Sequence, residues 1–240
     1  MSSMPGPLDF AFIALFTVGM ALWEGLVGWP RLRSALEAGK PGARLGAYRF
    51  VMAYLWVFAL IAIALWVSAH RPWSALGLNT VRGWRLAVSL VVVAAPTILF
   101  IRQVRTLAKL SAARRVALRP RLGVLQNLSP STRSERDWFI GLSLTAGLCE
   151  ELLFRGFLMW ALRPWLGPWG AAAGSAALFG FGHAYQGRDG VARTALMGAA
   201  FSAVALVTGS IIPGIGVHAI LDIGGGMTGY TLLREGEEGE

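Results

Sequence analysis

The chain has one cysteine, three histidines and two lysines among its 240 residues. A lone thiol, Cys149, has nothing to pair with inside the chain, which excludes a disulfide scaffold. His70, His183 and His218 are too few for a histidine-rich metal cluster. Charge is scarce as well. Asp, Glu, Lys and Arg make up 15% of the residues, against roughly a quarter in soluble chains. What remains is apolar: 55% of residues are hydrophobic and the mean hydropathy is +0.56. Each membrane crossing takes ~20 residues, so about six to eight crossings with short loops consume the whole length. The composition predicts an all-α fold, a polytopic transmembrane helical bundle with no separate soluble domain.

The net charge of +9 is almost entirely arginine, since Lys40 and Lys109 are the only lysines. A basic excess suits either nucleic acid or loops facing anionic lipid heads. Here the positive residues lie between apolar runs, so membrane lipids are the expected partner and nucleic acid is not. No basic stretch precedes the first apolar run, and Asp9 stands where one would be needed. That pattern predicts a retained first helix rather than a cleaved signal peptide.

Seven apolar runs follow one another at 10–29, 50–69, 86–101, 138–162, 165–185, 194–208 and 211–233. The segment 102–137 between the third and fourth is the longest polar stretch and carries nine basic residues; an eighth span could hide there. Within it, 104–118 mixes apolar and basic residues as a surface-lying helix does. Gly170 and Gly174 stand at GxxxG spacing, which lets helices approach closely in lipid. Pro213, Gly214 and Gly216 predict an irregular start to the last helix. The expected organisation is N-terminal helices over 1–137, a core over 138–233, and a disordered acidic tail over 234–240.

Arginine and lysine set the orientation. The first, third and fifth loops hold Arg31, Arg33, Lys40, Arg44, Arg49, the nine of 102–137, Arg188 and Arg193. The second and fourth hold only Arg71, Arg82, Arg85 and Arg163. The odd loops should therefore be cytoplasmic, with the N-terminus out and the C-terminus in.

Against that apolar background a few residues stand out. An ionised side chain at mid-bilayer costs about 2.5–3.5 kcal/mol on insertion scales, yet the fourth run contains Glu150, Glu151 and Arg155. Glu151 and Arg155 are at i, i+4 and can neutralise each other on one face. Glu150 points about 100° away and is left free. Phe179 and His183 share the same spacing, as do His218 and Asp222, the latter within expected hydrogen-bonding reach. Three helices thus contribute Glu150, His183 and the His218/Asp222 pair, a concentration that marks a candidate functional site.

Glu150-Glu151-Leu-Leu-Phe-Arg155, Phe179-Gly-Phe-Gly-His183 and His218-Ala-Ile-Leu-Asp222 resemble the EExxxR, FxxxH and HxxxN/D motifs of the CPBP intramembrane proteases. That family includes the type II CAAX prenyl endopeptidases and bacteriocin-processing or self-immunity proteins. The resemblance implies that Glu150 and His183 activate a water, that His218 and Asp222 stabilise the oxyanion, and that Glu151, Arg155 and Phe179 support the site. Independently, a carboxylate partly withdrawn from water is a stronger base, which suits the first role. Position 222 departs from the commoner asparagine. An ionised aspartate accepts hydrogen bonds and donates none, so it would orient His218 and leave the imidazole as donor. Glu150, His183, His218 and Asp222 would also make an N/O set for zinc; the metal-free mechanism is the favoured expectation, with no cofactor.

Plainer alternatives stand beside this one. The charges could be a buried network in a non-catalytic scaffold or transporter. Cys149 is expected to pack, His70 to be solvated at a span end, and Glu24 to make a buried polar contact. Ser175 has no flanking pattern of a serine site beyond Gly174, and HExxH is absent. The expected activity is an intramembrane endopeptidase of a bacterial cytoplasmic membrane, acting on a peptide or membrane-protein substrate, CAAX-like tails included.

Overall fold

A computed structural model describes residues 4–234, and the acidic residues 235–240 of the expected tail lie outside it. Among the described residues there is no strand. Helix α1 spans Pro7–Glu37, α2 Ala43–Ser68, α3 Trp84–Ala108 and α4 Ala112–Leu118. Two helices folded back on each other, α5 (133–166) and α6 (168–182), come next, followed by α7, Gly187–Thr208, and α8, Ile212–Leu233.

Local chemistry accounts for the boundaries. Helix α5 starts at a capping box: Thr132 Oγ1 accepts the Glu135 N–H at 3.2 Å, and Glu135 Oε2 accepts the Thr132 N–H at 3.4 Å. The chain turns back at Gly167, whose φ of +65° is open to glycine and strained for other residues, with Pro164 and Pro168 on either side. Pro213 does not disturb α8. It falls in the first turn, where a missing N–H has no intrahelical partner to lose, so the expected irregular start is a regular one.

Four helices are long and apolar enough to cross a membrane: Pro7–Glu37, Ala43–Ser68, Trp84–Ala108 and Ala184–Thr208. They coincide with four of the seven expected spans. The helices bearing the charged motifs, α5 and α8, are not among them, because Glu, Arg, His, Asp and glycine dilute their hydropathy. Helix α8 packs between α3 and α5, α2 lies against α5, and α6 pairs with α7. The chain is an integral membrane protein whose least apolar helices are screened by the most apolar ones.

Gly170 and Gly174 of α6 face back onto α5, where side chains added to them would meet Leu166 and Leu162 across the Gly167 turn. The close approach of α6 to α7 lies further along, where a Cβ on Gly180 would fall 2.9 Å from the Val191 carbonyl oxygen. One expectation about helix surfaces changes: 104–118 is not one surface helix. Helix α3 runs on to Ala108, and α4 begins only at Ala112. Beyond it, Arg119 Nε donates to the Leu232 carbonyl at 2.8 Å and Nη2 to that of Leu233 at 3.5 Å, satisfying two orphan carbonyls at the end of α8.

Candidate active site

Between Glu151 and Leu158 helix α5 widens from α to π geometry, and all eight of these residues are buried. Such π segments are rare and cluster at functional sites. The widened turn frees backbone groups, and Ser175 of α6 takes one of them: its hydroxyl donates to the Phe154 carbonyl at 2.9 Å. Ser175 is thereby a packing residue of the site's wall, in line with its lack of a serine-site pattern.

Where the α and π geometries meet, two adjacent carboxylates face one imidazole. Glu151 Oε1 lies 2.9 Å from His218 Nδ1, and Glu150 Oε2 lies 3.7 Å from His218 Nε2. Glu151 Oε1 also accepts from Arg155 Nη1 at 2.9 Å, with both side chains fully buried. Arg155 Nη2 donates to the Gly198 carbonyl of α7 at 3.1 Å. A Cβ at Gly198 would sit 3.1 Å from that same nitrogen, tighter than an ordinary contact, so the approach favours glycine. Glu151 Oε2 and Arg155 Nε are buried with no hydrogen-bond partner among the described residues.

Aromatic rings close the site. Phe201 of α7 stacks on His218 at 4.9 Å and 22°. Phe179 meets His218 edge-on at 5.9 Å, touches the His183 ring at 4.9 Å, and carries the Arg155 guanidinium 4.3 Å over its face. Phe179 therefore does more than its motif position implies: one ring contacts three polar members of the site. His183 is the residue that ends α6. Its Nδ1 lies 2.9 Å from the Phe179 carbonyl, an arrangement in which Nδ1–H donates and Nε2 is left for a ligand.

The structure brings Glu150, Glu151, Arg155, His218 and Asp222 into one network and holds His183 beside it through Phe179. No hydrogen bond or ion pair joins Glu150 to His183 among the described residues. Two local expectations are revised. Glu151 and Arg155 do neutralise each other, but Glu151 is shared with His218, which orients the imidazole. Asp222 does not: its Oδ2 is 3.7 Å from His218 Nε2, beyond a hydrogen bond, and its side chain is 41% exposed. Glu150 is the freer of the two glutamates, as its position on the helix implies, though it too faces His218. The contributions of Phe201, Gly198 and the Glu151–His218 pair carry no sequence signal, since they join residues 17 to 67 positions apart with no shared spacing.

No three His, Cys, Asp or Glu side chains among the described residues gather into a set able to hold a metal ion. His218 Nδ1 is taken by Glu151 and His183 Nδ1 by a carbonyl. Glu150, His183, His218 and Asp222 do not form such a set among the described residues.

Residues 134–224 match the family model described as type II CAAX prenyl endopeptidase Rce1-like. This segment is an Rce1-like domain of the CPBP family. It takes in all three motifs and covers less than half of the chain. No curated protein and no solved structure matches. Within the Rce1-like domain lie α5, α6, α7 and the first half of α8; Trp29 of α1, outside it, packs against Tyr185 at 5.6 Å.

Cys149 is 1% exposed and belongs to the main apolar cluster. His70 is exposed just past the end of α2. Glu24 sits in a π turn of α1, Glu24–Gly28, with Oε1 buried and unpartnered. The expected polar contact is therefore not made through Oε1.

Proposed function

We propose that this protein is an intramembrane endopeptidase that cleaves a peptide bond of a membrane-associated or CAAX-like substrate. The observation that carries this reading is the convergence of Glu150, Glu151 and Asp222 on one imidazole inside an otherwise apolar bundle, in a domain of this family. Glu150 is the general base. Paired with His183 Nε2, it takes a proton from a water whose oxygen attacks the scissile carbonyl carbon. The resulting oxyanion is met by His218, whose Nδ1–H is held by Glu151 so that Nε2–H faces the reaction. Glu150 then passes its proton to the leaving nitrogen, the C–N bond breaks, and a carboxylate and an amine result.

Glu151 and Arg155 are positioning residues. A carboxylate without Arg155 would be a bare charge in a dry site, and an imidazole without Glu151 would rotate. The basic loop 102–137 faces the cytoplasm and anionic lipid, the N-terminus lies outside and the C-terminus inside, in a bacterial cytoplasmic membrane. The orphaned Glu151 Oε2 and Arg155 Nε favour this reading over a scaffold, because a purely structural network gains by satisfying every group.

The test is cleavage of a farnesylated CAAX peptide and a quenched peptide library by purified protein in detergent, beside Glu150→Gln. Loss of cleavage with unchanged thermal unfolding supports the reading. Loss of folding, or cleavage that survives the substitution, overturns it in favour of a structural charge network.

A further inference from the structure

The site as described has one side-chain donor for an oxyanion, His218. The family pattern has a second in an asparagine amide, and here Asp222 stands in its place, which while ionised has no proton to donate. A donor of another kind lies close by. Tyr185 sits two residues beyond His183, in the short turn Ala184–Gln186 that leads from α6 into α7. Its ring is 5.9 Å from the His183 imidazole at 34°, and 5.6 Å from Trp29 of α1.

The phenol oxygen accepts the Gln186 Nε2–H at 3.2 Å. An oxygen that accepts still has its own O–H to give, and no hydrogen bond among the described residues takes that proton. The His183 ring it lies against also touches Phe179, whose ring meets His218 edge-on. Tyr185 therefore extends the aromatic wall of the site, beside the imidazole that would hold the water.

We infer that Tyr185 is a further catalytic residue, whose phenol O–H donates to the oxyanion in place of the amide that Asp222 lacks. The inference rests on the proteolytic reading of the site. The proton stays on the phenol oxygen throughout: the hydrogen bond strengthens as the scissile C=O becomes C–O⁻ and relaxes when the carbonyl reforms. Gln186 aims the hydroxyl, and Trp29 keeps the ring from swinging toward the lipid.

The test compares wild type, Tyr185→Phe, and Tyr185→Phe combined with Asp222→Asn on the farnesylated peptide and the quenched library, using the full chain in detergent. Loss of an oxyanion donor typically lowers kcat on the order of 10²-fold. The expected result for Tyr185→Phe is a fall of that order in kcat with KM held within a few-fold, since the bond forms only in the transition state. The amide restored by Asp222→Asn should return the double variant to within about tenfold of wild type. A structural role for Tyr185 predicts no such rescue. Wild-type kcat in Tyr185→Phe, or a double variant as slow as the single, overturns the inference while leaving the protease reading intact. A wild-type protein that cleaves nothing, or a Glu150→Gln that cleaves as well as wild type, overturns both, and does so in proteins where Tyr185 is unchanged.

Discussion

Two buried carboxylate–arginine pairs hold this molecule together, and they are built differently. At one end, Asp9 of α1 meets Arg71 in the turn after α2 through both oxygens, Nη1–Oδ1 at 2.9 Å and Nη2–Oδ2 at 2.6 Å. Asp9 Oδ2 also accepts the Gly6 N–H at 2.8 Å, and the guanidinium lies 4.2 Å over Trp160. At the site, Glu151 and Arg155 share a single contact, and each keeps a buried atom without a partner. The first pair is a closed clamp that ties α1 to α2. The second is left open, with its spare valence committed to His218 and Gly198. A buried network that serves only stability gains by completing every hydrogen bond; one that positions a reacting imidazole must leave capacity for the charge that develops there.

Substitutions can break or sharpen that contrast. The largest effect is expected at Glu150→Gln, which should reduce cleavage by at least ~10³-fold, beyond the loss of a single donor, with thermal unfolding unchanged, as read by assay and melting of the same preparation. Next comes the clamp. Asp9→Ala takes the bidentate carboxylate away from the buried Arg71 and should lower stability by about 3–5 kcal/mol, seen as a lower Tm in detergent; an unshifted Tm would remove the clamp's structural role. Glu151→Gln keeps a hydrogen-bonding partner for His218 but uncouples Arg155, so its expected loss is larger in kcat than in Tm, the reverse of Asp9→Ala. Equal losses in both variants would erase the distinction between the pairs.

Smaller effects test the surroundings. Gly198→Ala puts a Cβ 3.1 Å from both Arg155 Nη2 and Phe179 Cδ1 and should lose about 1–3 kcal/mol by overpacking, measured by thermal unfolding. The exposed Arg33–Glu37 pair, at 3.5 Å, contributes least. Arg33→Ala should change stability by under about 0.5 kcal/mol, within the scatter of the same melting curves.

Much of the site is legible in the amino-acid sequence. Glu150, Glu151, Arg155, His183, His218 and Asp222 are conspicuous because ionisable groups in apolar runs need a reason to be there, and i, i+4 spacing pairs them face to face. The Glu151–Arg155 pair follows from that rule directly. His218 and Asp222 obey the same spacing but not the expected contact: a partner 67 positions away, Glu151, binds the imidazole more closely than the aspartate one turn along. The π segment at Glu151–Leu158 is not legible either, because widening a helix by one residue per turn leaves no mark in hydropathy.

By itself the sequence determined that the chain is helical and membrane-embedded, and it named the few polar residues that must meet. The reason is energetic: lipid tolerates helices and penalises isolated charge, so composition and spacing alone carry those conclusions. Only the tertiary structure decided which groups face each other. It chose Glu151 over Asp222 for His218, placed Phe201 and Gly198 against the site, closed the Asp9–Arg71 clamp, set Gly170 and Gly174 against α5, and put the α6–α7 close approach at Gly180. Each of those outcomes depends on the rotation and separation of packed helices, quantities set by side chains far apart in the chain and by no local pattern within it.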